Sequence, residues 1–302
     1  MPSATRRFAV AVVLTSAALA AAACGEGGSA SRPRPGSAAA AVHRLPERIV
    51  HAPRHLLSIA QPQPGGTIWA LAGGKSAGLF KIDQASGRVR ASRSVSAAAT
   101  SVAESASGTL ALALGTRSSG ALQLISSRTT KTIKTVPLPA PARFVTAGSD
   151  HATFYVLTGW AKSASVSIID ARTGQVRGTV PVPPDTVSVA ADTRGAVLYA
   201  LERAGLVSEI AIARASSRPV RFRVGKEPSR ALALSPDAST LYLLKGTGTV
   251  ANIAVVNTAT QGVRRVLPAP SHCVQVIVSA TGSQIYEVTG TASYGNIQIF
   301  AA

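Results

Sequence analysis

From Val224 to Gly262 the chain alternates apolar and polar residues along Ala231 to Leu234, breaks at Ser235-Pro236-Asp237, resumes at Leu241 to Leu244, and carries a third apolar run at Ile253 to Val256. A polar turn, Asn257 to Gly262, follows, and Val263 to Leu267 opens a fourth run. Alternation over a few residues, with Pro, Gly, Ser and Asp between the runs, predicts short strands joined by tight turns. Four of them form one antiparallel sheet. A sheet that small cannot bury both of its faces, so it must stack against copies of itself.

The copies recur along the chain. Taking the residue after the apolar one in each second strand gives Trp69, Leu112, Tyr155, Tyr199, Tyr242 and Tyr286, spaced by 43 or 44 residues. The third strands agree through Lys81-Ile82-Asp83, Ile168-Ile169-Asp170 and Val255-Val256-Asn257, each ahead of a polar turn. That period belongs to four-stranded propeller blades. The expected fold is all-β: a six-bladed β-propeller of four-stranded antiparallel blades over 45–302, with blades beginning near Leu56, Ala98, Phe144, Val187, Ala231 and Val274. The last blade reaches only its third strand at Ile297 to Phe300, and an open edge there needs cover. Arg48-Ile49-Val50 has the place of an outer strand with no blade of its own. N- and C-terminal strands are therefore expected to share the last blade and close the ring.

The repeat resembles that of bacterial YVTN-type β-propeller proteins, whose unit carries a Pro, an alternating strand, Ser-Pro-Asp, an apolar-Tyr pair and an Asp-x-x-Thr-Gly turn. Pro228, Ser235-Pro236-Asp237 and Leu241-Tyr242 match it in blade five, and Asp170 with Thr173-Gly174 in blade three. Blade two departs from it, with Ala111-Leu112 at the pair. The resemblance covers the architecture of 45–302 and implies a fold more than an activity.

Ahead of the repeats, Arg6-Arg7, an apolar run from Phe8 to Ala23 and small residues before Cys24 predict a secretory signal peptide over 1–23. The ending Ala21-Ala22-Ala23-Cys24 is similar to a lipoprotein signal, with Ala21 where Leu is preferred. It implies an acylated Cys24 as the new N-terminus and an extracytoplasmic, membrane-anchored protein. Cleavage after Ala-x-Ala without acylation gives a secreted protein instead. Residues 24–44 are rich in Gly, Ser, Ala, Pro and Arg and read as a flexible tether.

Charge narrows the partners. Lys and Arg outnumber Asp and Glu by 31 to 13, a formal net charge of +18. Such a surplus favours a polyanion, as a phospholipid surface, an anionic wall polymer or glycan, or nucleic acid, for which no motif speaks. An Ala- and Arg-rich codon bias produces the same surplus with no partner, and another envelope protein is a further candidate. Cys273 has no disulfide partner once Cys24 is acylated, and at the start of an inner strand it reads as a small buried apolar residue. His43, His51, His55, His151 and His272 lack metal-ligand spacing, and no Gly-x-Ser-x-Gly, Walker loop or paired-carboxylate motif occurs. No cofactor is expected. Six-bladed propellers include metal-dependent lactonases, so a lactonase-like or other hydrolase working in the central channel stays as the alternative to a non-enzymatic binding or scaffold module.

One pattern rises above the fold. Loops entering the inner strands carry Pro53-Arg54-His55, Pro141-Ala142-Arg143, Pro228-Ser229-Arg230 and Pro270-Ser271-His272, with Pro183-Pro184-Asp185 at the same place in blade four. Equivalent positions in a propeller ring the channel mouth. Loops joining second and third strands open on the same face and are expected to hold Lys75, Arg117, Trp160, Lys162, Arg203, Lys245 and Tyr294. The expected ligand site is therefore His55, Arg143, Asp185, Arg230 and His272 at the mouth with Trp160, Lys162 and Lys245 beside it, for an anionic or sugar-bearing ligand. Repeat turn chemistry alone accounts for Pro-x-basic equally well.

Overall fold

The computed structural model describes residues 46–63, 66–148, 152–160, 163–192, 195–214 and 218–302. The signal segment, Cys24, the tether and Lys162 lie outside the described residues. The described chain forms six antiparallel sheets of four strands. Inner strands are Leu56–Ile59, Ala99–Glu104, Ala142–Ala147, Thr186–Ala191, Ser229–Leu234 and Cys273–Val278. A 3-10 turn at Ile212–Arg214 lies in blade four. The expected six-bladed propeller is the fold observed.

The ring closes between the ends of the chain. Arg48–Ala52 pairs along its whole length with Gly295–Ala301, Val50 opposite Ile297, and becomes the outer strand of blade six. Val50 is 1% exposed and packs with Ile297, Ile299 and Tyr286.

Blade two corrects the repeat marker. Ser101 pairs with Ala113 and Ala103 with Ala111, whereas in blade three Phe144 pairs with Leu157 and Thr146 with Tyr155. The residue equivalent to Tyr155 is therefore Ala111, and the pair is Leu110-Ala111. Because side chains alternate along a strand, this one-residue offset reverses the faces: Leu112 points back at blade one, while Ala111 points on toward blade three.

No single central core exists. Six apolar clusters lie between successive blades: Trp69 and Leu71 against Val102 and Leu110, Ala111 and Ala113 against Phe154 and Val156, and so around to Tyr286 and Val288 against Ile59 and Ile68. Around the channel, polar side chains on the inner strands bridge the same interfaces. Gln275 accepts from Ile59 N–H at 2.8 Å, Ser58 accepts from Val102 N–H at 3.3 Å, Ser101 donates to Val145 O at 3.3 Å, and Ser188 accepts from Leu232 N–H at 3.2 Å. Phe144 and Ala231 hold the equivalent positions in blades three and five and cannot make such a bond.

Close backbone approach explains one glycine. A Cβ on Gly290 would lie 2.0 Å from Leu56 O, where the segment entering blade one crosses the second strand of blade six. Gly290→Ala should cost about 2 kcal/mol as overpacking and lower the melting temperature by roughly 5 °C, read by thermal unfolding.

Cations on the outer strands serve the wall. Lys134 donates to Thr173 O at 3.0 Å in the next blade, Arg48 donates to Gln84 O at 2.9 Å, and Arg93 donates to Thr130 O and Thr132 Oγ1. Part of the positive surplus is thus spent within the fold. Asp170 accepts from the N–H groups of Thr173 and Arg172 and pairs with Arg177; the Thr173 N–H foremost holds its pKa down at about 2. A carboxylate with a depressed folded pKa stabilises above its unfolded value and loses that contribution as pH falls through the folded one. The window here runs from the usual 3.8 down to about 2. Asp170→Asn keeps an oxygen for the turn, so its melting temperature should fall less between pH 5 and pH 2.5 than that of the parent chain.

Candidate ligand site at the channel mouth

Every inner strand opens with a β-bulge. The register shifts around Leu57, Thr100, Arg143, Val187, Arg230 and Val274, one residue per blade. A bulge turns a side chain out of the sheet, and here the six equivalent residues surround the mouth. The position two residues earlier is His55, Ala98, Pro141, Asp185, Pro228 and His272. His55, Asp185 and His272 have φ values of 55°, 61° and 59°. Proline cannot adopt that left-handed conformation.

The Pro-x-basic repeat therefore joins two different registers. Arg143 and Arg230 occupy the bulge; His55, Asp185 and His272 stand two residues before it. The expected single ring is corrected to an inner ring carrying Arg143 and Arg230 and a second ring carrying His55, Asp185 and His272.

Arg143, Arg230 and Trp160 do come together. With Arg203, Thr100, Val187 and the backbone of Ala142 they line a cleft of about 320 Å³. The Arg143 guanidinium carbon lies 3.8 Å from the centre of the Trp160 ring, and Nη1 donates to Gly159 O at 3.1 Å. Stacking and a backbone bond fix the guanidinium while leaving its other N–H groups for a ligand. Burial, and then the charge of Arg203, push the Arg143 pKa below the usual guanidinium range, with the Asp185 carboxylate pulling the other way. Cationic charge in the cleft is thus only partly balanced by protein. Trp160 remains 58% exposed.

Other expected residues sit elsewhere. Lys245 lies within the eight-residue second strand Thr240–Thr247, not in the following loop; its side chain is 8% exposed and its Nζ pairs with Glu227 Oε2 at 2.5 Å. That pair, through its hydrogen bond, holds the Glu227 pKa below the usual range. Lys245 is a structural cation. His55 and His272 are exposed and precede apolar bulge residues, Leu57 and Val274, and neither histidine lines the arginine cleft. Cys273 is buried and carries no disulfide, and burial, with Glu287 nearby, pushes its thiol up to about 12. Among the described residues no three His, Cys, Asp or Glu side chains gather as a metal site would require. Arg203 joins the cleft from the loop between second and third strands where it was expected, and Thr100 and Val187 join it without having stood out; aligning the chain on 57, 100, 143, 187, 230 and 274 is the signal that finds those two.

Below the mouth, the axial channel holds a cavity of about 110 Å³ lined from all six inner strands, among them Ile59, Val102, Phe144, Ala190, Leu232 and Val276. None of its lining side chains is charged.

No family model matches this chain, and no curated protein resembles it in sequence. Solved structures resemble it in shape. Hydrazine synthase of Kuenenia stuttgartiensis superposes with a TM-score of 0.65 at 13% identity, over 82% of this chain and 83% of that one. The β-propeller domain of Cps50 (Swd1) from Myceliophteria thermophila superposes with a TM-score of 0.61 at 13% identity, over 85% and 99%. The likeness is one of fold. At such identity it carries no activity across.

Proposed function

We propose that this chain is an extracytoplasmic binding module, tethered to the membrane through lipid on Cys24, that captures an anionic ligand of the cell envelope in the Arg143, Arg203 and Arg230 cleft without turning it over. The observation that carries this reading is the half-buried Arg143 guanidinium, stacked on Trp160 and held by Gly159 O beside Arg203. Fixing one cation near another costs stability unless an anion is to be met there. Membership of the YVTN-type repeat family is part of the proposal and rests on Pro228, Ser235-Pro236-Asp237 and Leu241-Tyr242.

Titration with inorganic phosphate tests the site. Binding should weaken steeply as sodium chloride rises from 50 to 500 mM, because screening shortens the reach of exposed charge to about 10 Å already at 0.1 M. Salt-independent binding, or none, contradicts the reading. Stoichiometric metal in the purified protein would favour a lactonase-like hydrolase instead. Cys24→Ser should move the protein from the membrane fraction to the soluble one; unchanged membrane association would contradict the lipid tether.

A further inference from the structure

Blades three and five differ from the other four at three successive levels of the inner strand. Before the strand they have Pro141 and Pro228, where blades one, four and six have His55, Asp185 and His272 in the left-handed conformation. At the bulge they have Arg143 and Arg230, where the others have Leu57, Thr100, Val187 and Val274. One residue further they have Phe144 and Ala231, where the others have Ser58, Ser101, Ser188 and Gln275. Those four make the hydrogen bonds that join neighbouring inner strands. Each mouth arginine is therefore followed by hydrocarbon, at the two places where the polar seam is interrupted.

The cavity beneath continues that character. Thr100 and Val102, Arg143 and Val145, and Arg230 and Leu232 are two residues apart on their strands, or about 7 Å at the usual rise. With Val187 and Ala190 on the inner strand of blade four, mouth cleft and axial cavity thus share four inner strands, one above the other. Phe144 directly follows a cleft arginine and itself lines the cavity. A ligand charged throughout gains nothing from Phe144. One with an acidic head and an apolar tail uses both levels.

We propose that the site takes a short aliphatic carboxylate, its head between Arg143 and Arg230 and its tail passing Phe144 into the axial cavity. This rests on the cleft being an anion site. Cavity size limits the tail: a void of about 150 Å³ holds benzene, so the volume here suits about four carbons beyond the head.

Isothermal titration of the full chain with acetate, butyrate, hexanoate, decanoate and 1-hexanol, alongside inorganic phosphate, tests it. Affinity should rise roughly threefold to fourfold per methylene from acetate to hexanoate and then level off at decanoate. 1-Hexanol should bind at least tenfold more weakly than hexanoate. Phe144→Ser, which places at the cavity wall the serine that blades one, two and four carry at that position, should reduce the gain from acetate to hexanoate severalfold while acetate still binds. If phosphate and acetate bind in a salt-sensitive way and hexanoate binds no tighter than acetate, the anion site stands and the tail pocket falls. A rise continuing through decanoate, or hexanol binding as tightly as hexanoate, also overturns the tail pocket as placed. If neither phosphate nor acetate binds, the anion site falls and takes the tail pocket with it.

Discussion

A chain beginning at residue 53 should melt about 10 °C or more below one that keeps residues 46–52. The outer strand of blade six is Arg48–Ala52, supplied from the other end of the chain, and its loss strips the hydrogen-bonding edge of Gly295–Ala301. Val50, 1% exposed, leaves the cluster between blades six and one and uncovers Ile297 and Ile299. Burying a Val contributes about 2 kcal/mol and each net backbone hydrogen bond about 1 kcal/mol, so a loss near 5 kcal/mol is expected. At about 2 °C or more per kcal/mol for a domain of this size, that gives the stated shift. A bare edge strand also invites pairing with other molecules, so the truncated chain should aggregate at concentrations where the longer one does not. Equal melting temperatures would mean that the closing strand adds no stability.

Much of the fold was legible because its determinants are local. Alternation, turn residues and the 43 to 44 spacing located all six blades, and the lone strand at Arg48 to Val50 revealed the closure. The offset in blade two was hidden because Leu110 and Leu112 are both apolar and either serves as the marker; only cross-strand register separates them. The mouth was half legible. Pro-x-basic picks out Arg143 and Arg230 but counts from a proline that stands in different registers in different blades, so it also collected His55 and His272. Bulges leave no signature in a single inner strand. Lys245 was misplaced because the second strand of blade five continues to Thr247, past the length of its counterparts.

Replacing Arg143 and Arg230 together by Ala should weaken anion binding about a hundredfold. Each guanidinium offers charge-assisted hydrogen bonds worth roughly 1.5 to 3 kcal/mol, reduced here because Arg230 is exposed. Arg143 should carry the larger share, since Trp160 and Gly159 O hold it in place before any ligand arrives. Neither side chain belongs to a blade interface cluster, so the melting temperature should change little.

The decisive measurement sets that double variant against a second one of equal charge. Arg88→Ala with Arg172→Ala removes two exposed arginines from the turns after the third strands, on the opposite face of the ring. Phosphate affinity at 50 mM salt should fall about a hundredfold in the Arg143 and Arg230 variant and less than threefold in the Arg88 and Arg172 variant. Equal losses in both would assign binding to net charge alone, and no loss in either would leave the mouth arginines as turn chemistry of the repeat.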